Sequence, residues 1–148
     1  MNRRGFLVAL SRGSLATAVI VAFGQVVRFL SYRPADGPAT VFAVGRPEDY
    51  APGSLVYVSE AQAYVGCNAQ GLYALDAVCT HLGCLVERGA KGGFVCPCHE
   101  SRFDAAGQVL AGPAGQPLRA LRLWFDGEQG LLFVDRSETV APAARLAV

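Results

Sequence analysis

The sequence of 148 residues has little charge, because Asp, Glu, Lys and Arg together make up 17% of it. Acidic side chains are missing from residues 1–33, which carry five arginines and a net charge of +5. Residues 34–148 carry 8 basic and 12 acidic side chains, a net charge of −4. No basic face therefore remains outside the first 33 residues, which excludes nucleic acid as a partner. The hydrophobic content of 52% excludes a disordered chain.

Helical periodicity and internal repeats are also missing after residue 40. The sequence there consists of short β-rich runs, most of them bounded by Gly, Pro, Asn or Asp. The runs are 55–58, 63–65, 72–75, 94–95, 109–110, 118–125 and 131–134. Two segments, 68–71 and 126–130, are typical of hairpin turns. We therefore predict an all-β fold for residues 40–148, a small antiparallel β-sandwich or barrel.

The first 30 residues have a different composition. Arg3 and Arg4 precede an apolar segment whose core, residues 13–27, is uncharged, a pattern that resembles a twin-arginine export signal. The alternatives are an ordinary signal sequence or a basic amphipathic helix. The uncharged core alone would span only ~22 Å as a helix, against a hydrocarbon core of ~30 Å. Apolar residues on both sides extend it, so we predict that residues 1–30 form a signal helix that is retained as a membrane anchor. Residues 31–39, with two prolines and a glycine, predict a flexible linker.

Histidine is scarce, with two residues, and both lie between residues 79 and 99 together with four of the five cysteines. They form two motifs, Cys79-Thr80-His81-Leu82-Gly83-Cys84 and Cys96-Pro97-Cys98-His99-Glu100-Ser101. Each motif offers a Cys and a His at a spacing suited to chelation. Two thiolates and two imidazoles can hold either a zinc ion or a [2Fe–2S] cluster. Cys67 lies outside both motifs and is expected to be a small buried apolar residue.

The two motifs resemble the cluster-binding loops of the Rieske iron–sulfur proteins, specifically those of quinol-oxidising cytochrome bc and bf complexes. The resemblance implies one [2Fe–2S] cluster, with two thiolates on the inner iron and two imidazoles on the outer iron: Cys79 and Cys96, and His81 and His99. It also implies that Cys84 and Cys98 form a disulfide between the two loops. Oxygenase-type Rieske domains lack that second pair of cysteines.

The same resemblance assigns residues around the cluster. Ser101 aligns with a serine whose hydroxyl donates a hydrogen bond to a cluster sulfide, which stabilises the reduced state. Phe103 stands where high-potential members have a tyrosine, so we expect a lower potential and a menaquinol-type or other lower-potential partner. Glu100 replaces a glycine and is expected to stabilise a protonated His99.

By resemblance, the chain is an electron-transfer subunit in the cell membrane. It is anchored by its N-terminus, and residues 40–148, here called the head, lie on the periplasmic side. It would accept an electron from quinol at a cytochrome b subunit and pass it to a c-type cytochrome, while His81 or His99 accepts a proton. Leu82 is expected at the exposed cluster tip and Pro113 in a third loop over the cluster. Two alternatives remain open: the small Rieske subunit of an arsenite-oxidase-like molybdoenzyme, and a free-standing exported electron carrier.

Overall fold

The structure is a computed structural model that describes residues 2–32, 39–90 and 92–147. The chain divides into two units, residues 1–38 and residues 39–148. Most of the predicted linker, residues 33–38, lies outside the described residues.

The N-terminal unit contains one long helix, α1, which spans Arg3–Leu30. Asn2 caps it, because its side-chain oxygen accepts a hydrogen bond of 2.9 Å from the backbone N–H of Gly5. At 1.5 Å per residue, the 28 residues extend for ~42 Å, longer than a hydrocarbon core of ~30 Å. The mean hydropathy of its most apolar 18-residue window is 1.9. The helix is therefore long and apolar enough to cross a membrane.

The second unit is built from ten antiparallel strands in two sheets. The strands are β1 (Val41–Gly45), β2 (Leu55–Val58), β3 (Ala63–Asn68), β4 (Gly71–Asp76), β5 (Glu87–Arg88), β6 (Phe94–Val95), β7 (Arg102–Phe103), β8 (Val109–Ala111), β9 (Ala120–Asp126) and β10 (Leu131–Thr139). The larger sheet has the order β1-β10-β9-β4-β3-β2, and the smaller has the order β5-β6-β7-β8. The prediction of an all-β antiparallel fold is thus confirmed.

Each predicted β-rich run contains a strand, and both predicted hairpin turns connect neighbouring strands. Three strands were not predicted individually: β1, β5 and β7. The last two have only two residues each, too few to show the alternation that identifies a strand in a sequence. In the second unit, the described residues include one helical segment, a single 3₁₀ turn at Pro47–Asp49.

The core of the second unit forms two clusters of buried side chains. One cluster lies within the larger sheet and includes Val65, Leu121 and Leu132. The other joins the two sheets, since the rings of Tyr64 on β3 and Phe94 on β6 lie 4.9 Å apart between centroids. The predicted site residues Cys79, Cys96 and Phe103 belong to this second cluster. The cluster therefore attaches the smaller sheet and its loops to the larger sheet.

Candidate metal centre

Three loops carry the predicted site residues. Loop 1, residues 77–86, connects β4 to β5 and so joins the two sheets. Loop 2, residues 96–101, connects β6 to β7, and loop 3, residues 112–119, connects β8 to β9. Loop 2 follows β6 and loop 3 follows β8, and in the smaller sheet only β7 lies between these two strands.

Loops 1 and 2 repeat one hydrogen-bonding pattern, each starting from a cysteine. In loop 1 the N–H of Cys79 donates to the carbonyl of Cys84 (2.7 Å), and the N–H of Gly83 donates to the carbonyl of Cys79 (3.0 Å). In loop 2 the N–H of Cys96 donates to the carbonyl of Ser101 (2.8 Å), and the N–H of Glu100 donates to the carbonyl of Cys96 (2.9 Å). The bonded residues have the same separations in both loops, so both chains turn in the same way.

The turn places its fifth residue in the left-handed region, which favours glycine. Gly83 occupies that position in loop 1 with φ +82°. Glu100 occupies it in loop 2 with φ +56°, and it is one of two non-glycine residues with positive φ among those described. The glutamate at this position is therefore held in a conformation that costs a side-chain-bearing residue about 1–2 kcal/mol.

The four predicted ligands lie on these two turns. Cys79 and Cys96 are buried, with 2% and 1% of their surface exposed, and neither is in a disulfide. The rings of His81 and His99 meet edge to face, with centroids 4.9 Å apart. His99 is exposed and His81 half-buried, so the imidazoles form the outer part of the site and the thiols the inner part.

A disulfide joins loops 1 and 2, and its cysteines are those expected from the resemblance. Cys84 and Cys98 are bonded, with their Cα atoms 6.6 Å apart. The sulfur of Cys96 lies within 4.8 Å of both of these sulfurs. A disulfide sulfur is not a thiolate and is not expected to ligate iron, so this proximity shows that the disulfide packs against a candidate ligand rather than supplying one.

The inner part of the site is unfavourable for negative charge unless a cation is bound. Burial raises the pKa of the Cys79 thiol, and the neighbouring sulfur of Cys96 raises it further. The backbone N–H of His81 and the side chain of Ser101 act in the opposite direction. The Nδ1 atom of His81 is buried and has no hydrogen-bond partner among the described residues. Two adjacent buried sulfurs and an unpartnered imidazole nitrogen fit a metal group with mixed sulfur and nitrogen ligands.

Two side chains close to the candidate ligands are buried. Ser101 is completely buried, and its Oγ accepts a hydrogen bond of 3.1 Å from the N–H of Ala114 in loop 3. The same side chain lies close enough to the Cys79 thiol to lower its pKa, against the effect of burial. Phe103 is 1% exposed and belongs to the same core cluster as Cys79 and Cys96, so it forms part of the apolar floor of the site.

Loop 3 lies against both other loops. The hydroxyl of Thr80 donates to the carbonyl of Gln116 at 2.6 Å. Gly112 has φ +95°, and a Cβ there would stand 2.5 Å from the Cα of Ser101. Pro113 is exposed on this loop, and Leu82 on loop 1 is 70% exposed. The third loop therefore contacts the site region through its backbone.

One group of charged residues at the base of loop 1 was not predicted. Asp76 is 1% exposed and accepts hydrogen bonds from the Arg119 side chain, one of them at 2.9 Å. Arg136 lies 3.6 Å from its other oxygen, which also accepts from the N–H of Val78. The residues are far apart in the chain and form no motif, so the sequence carries no signal for them. Cys67, expected to be buried, is half-buried and packs against the core of the larger sheet.

Known proteins similar to this chain include iron–sulfur subunits of cytochrome b6-f complexes. The chain is 34% identical to the cytochrome b6-f complex iron–sulfur subunit of Synechococcus sp. (strain JA-3-3Ab), over 86% of this chain and 84% of that protein. It is 30% identical to the cytochrome b6-f complex iron–sulfur subunit of Chlorobaculum thiosulfatiphilum, over 86% of this chain and 72% of that protein.

Among solved structures, the chain is similar to the plasma membrane Rieske protein PetC3 of Synechocystis PCC 6803, with a TM-score of 0.42 and 29% identity over 64% of this chain and 98% of that chain. It is also similar to a chain of a hyperthermophilic respiratory complex III, with a TM-score of 0.48 and 22% identity over 84% of this chain and 98% of that chain. A family model described as the Rieske [2Fe–2S] domain matches residues 38–122. The chain therefore belongs to the family of Rieske iron–sulfur proteins, whose domain binds one [2Fe–2S] cluster.

Proposed function

We propose that this chain is the Rieske subunit of a quinol-oxidising cytochrome complex, and that Cys79, Cys96, His81 and His99 are the four cluster ligands. The single observation that supports this ligand set best is the repeated turn. It starts from Cys79 in one loop and from Cys96 in the other, with the two remaining loop cysteines joined in a disulfide.

Each ligand has a distinct place in this proposal. When bound, a [2Fe–2S] cluster supplies reversible one-electron transfer. Cys79 and Cys96, both buried, would hold the cluster from the protein side. His81 and His99 would hold the cluster from the outer side and present the site to a partner, since His99 is exposed. The Ser101 hydroxyl is buried and accepts from the Ala114 N–H, so its own hydrogen is available for a bond to the sulfur side of the site, which would favour added negative charge there.

Quinol is the proposed electron donor and a c-type cytochrome the proposed acceptor. The relatives are subunits of cytochrome b6-f complexes, which supports a cytochrome b subunit as the neighbour in the membrane. The exposed Leu82 beside His81 provides an apolar contact that suits docking over a quinone site. The buried apolar Phe103 donates no hydrogen bond to a ligand sulfur, which supports a partner of lower potential, such as menaquinol.

We also propose that α1 anchors the chain in the cell membrane. The helix is long and apolar enough to span, and its first ten residues include Arg3 and Arg4. Positive residues at the N-terminal end favour a cytoplasmic N-terminus, which would place the second unit on the periplasmic side. A twin-arginine signal fits this arrangement, because that pathway exports proteins that have already folded around a cofactor.

The ligand set is tested by electron paramagnetic resonance of the dithionite-reduced full-length chain in detergent. We expect a [2Fe–2S] signal that is lost in Cys79→Ser and Cys96→Ser and retained in Cys67→Ser. Cys67 is the matched control, because it is the other free cysteine and lies outside the three loops. A signal that persists in Cys79→Ser would overturn the assignment.

The partners are tested by purifying the tagged full-length chain from native membranes. We expect a b-type haem subunit and a c-type cytochrome in the same complex, and oxidation of an added quinol that depends on His99. Recovery with a large molybdopterin subunit, or with no other protein, would contradict the proposal and favour one of the two alternative roles.

A further inference from the structure

Glu100 is the only acidic residue in the three loops around the site, and Arg119 at the end of loop 3, which pairs with Asp76, is the only Lys or Arg. Loop 1 and loop 3, up to Leu118, contain no Asp, Glu, Lys or Arg, and loop 2 contains this one carboxylate next to His99. The surroundings include the exposed side chains of Leu82, Pro97 and Pro113. Up to Leu118, the surface of the three loops thus carries one charged group, the carboxylate of Glu100, among exposed apolar side chains.

No ion pair neutralises the charge of the Glu100 carboxylate among the described residues. Glu100 is exposed, and no cation lies within ion-pair distance of it in the described part of the chain. Its backbone is in the left-handed region at φ +56°, a position that the matching residue of loop 1, Gly83, occupies without strain. Strain of this kind is typical of functional positions, where the surrounding structure holds a residue in an unfavourable conformation.

An uncharged apolar surface is typical of the centre of a protein interface, where charged residues are depleted. A carboxylate that is carried into such an interface loses its water, and an unpaired charge there weakens binding severely. The electron partner must therefore supply a cation opposite this group, or dock in a way that leaves it in water.

We propose that Glu100 is a specificity-determining residue of the docking surface, and that it pairs with a lysine or arginine on the protein to which the head delivers its electron. This inference rests on the proposed electron-transfer function. The partner is a redox protein with a basic surface around its redox centre. Charge complementarity of this kind raises the association rate at low salt and fixes the orientation of the complex.

The experiment measures electron transfer from the reduced full-length chain in detergent to a lysine-rich soluble cytochrome c, by stopped flow at low and high salt. For the unaltered chain, we expect a second-order rate constant that falls steeply with salt. Glu100→Gln keeps the shape of the side chain and removes the charge, so we expect about a tenfold lower rate at low salt and a flatter salt dependence. Glu100→Asp should keep most of the rate.

Two further variants separate charge from backbone strain. Glu100→Gly removes the charge and relieves the strain, so it should behave like Glu100→Gln if charge is what matters. Glu128→Gln is the matched control, because Glu128 is an exposed acid in the β9–β10 turn, whereas the site loops adjoin the opposite end of β9. We expect less than a twofold change from it.

The outcomes distinguish this inference from the proposed function. A full-length chain without a [2Fe–2S] signal would refute the proposed function itself. A normal signal, together with rates and salt dependence that are the same in Glu100→Gln as in the unaltered chain, would refute only the role of Glu100. A rate that differs between Glu100→Gln and Glu100→Gly would assign the effect to the backbone and also overturn the inference.

Discussion

Replacing Asp76 by Asn tests the charged group beneath loop 1. The carboxylate is 1% exposed and interacts with two arginines, Arg119 through its Nε at 2.9 Å and Arg136 at 3.6 Å. It also accepts a hydrogen bond of 3.1 Å from the N–H of Val78, next to Cys79. An asparagine has nearly the same shape but no charge, and its NH₂ group must face one of the arginines or the Val78 N–H.

The magnitude follows from how far each partner is buried. Removing one member of a buried ion pair costs about 3–5 kcal/mol, because the other charge is left without compensation. The Arg119 side chain is 44% exposed and that of Arg136 25% exposed, so water partly solvates both after the change. We therefore expect a loss at the lower end of the range, about 3 kcal/mol in the free energy of unfolding. For a domain of this size, that lowers Tm by roughly 12–20 °C.

The assay is thermal and denaturant unfolding of the full-length chain in detergent, followed by circular dichroism. Glu138→Gln is the control, because Glu138 pairs with Arg122 at 2.8 Å but both side chains are about half exposed. Exposed pairs contribute at most about 1 kcal/mol. Equal losses of stability in the two variants, or a loss below about 1 kcal/mol in Asp76→Asn, would refute the view that this buried group supports the base of loop 1.

Further predictions concern the site and its surroundings. Ser101→Ala should lower the midpoint potential in voltammetry, by up to ~60–130 mV if a full charge-assisted hydrogen bond of ~1.5–3 kcal/mol is lost; an unchanged potential would contradict this. Cys98→Ser opens a disulfide with a sequence separation of 14 and should cost about 3 kcal/mol in denaturant unfolding, a difference that should vanish under reductant. Burial raises the pKa of Tyr64 above its ordinary value of 10, because the folded chain favours the neutral phenol. The folded state is therefore fully stable below pH 10 with respect to this group and loses free energy of unfolding as pH rises further. Tyr64→Phe should remove that alkaline loss, measured as Tm against pH. Removing iron with a chelator should abolish the visible colour but leave the β-sheet circular dichroism unchanged; unfolding would show that the loops need the metal.

The parts of the fold that the sequence predicted depend on neighbouring residues. Runs such as 55–58 and 131–134 combine β-branched and aromatic side chains with a turn at one end, so each strand could be identified locally. The two motifs were equally local, because each occupies six consecutive residues. The disulfide needed more than spacing. Four loop cysteines allow several pairings, and the resemblance to a family selected the one that the structure contains.

The parts that the sequence did not predict depend on contacts between distant residues. Asp76 and Arg119 are 43 residues apart, and no local pattern distinguishes them from other charged residues. The two-residue strands β5 and β7 exist because the smaller sheet pairs them with β6 and not because of their own propensity. The left-handed backbone at Glu100 contradicts residue preference and follows from the turn that loop 2 shares with loop 1.

The three loops are held together by bonds that leave the candidate ligands free. The disulfide joins loops 1 and 2, the Thr80 hydroxyl joins loops 1 and 3, and the Ser101 side chain joins loops 2 and 3. Every pair of loops is therefore connected without using a ligand side chain of the proposed set. We therefore expect a site organised in this way to keep its shape without the metal, in contrast to small zinc domains that fold only when metal binds. For an electron carrier this has a functional consequence, because ligands that are fixed in advance move little when the charge of the site changes by one electron.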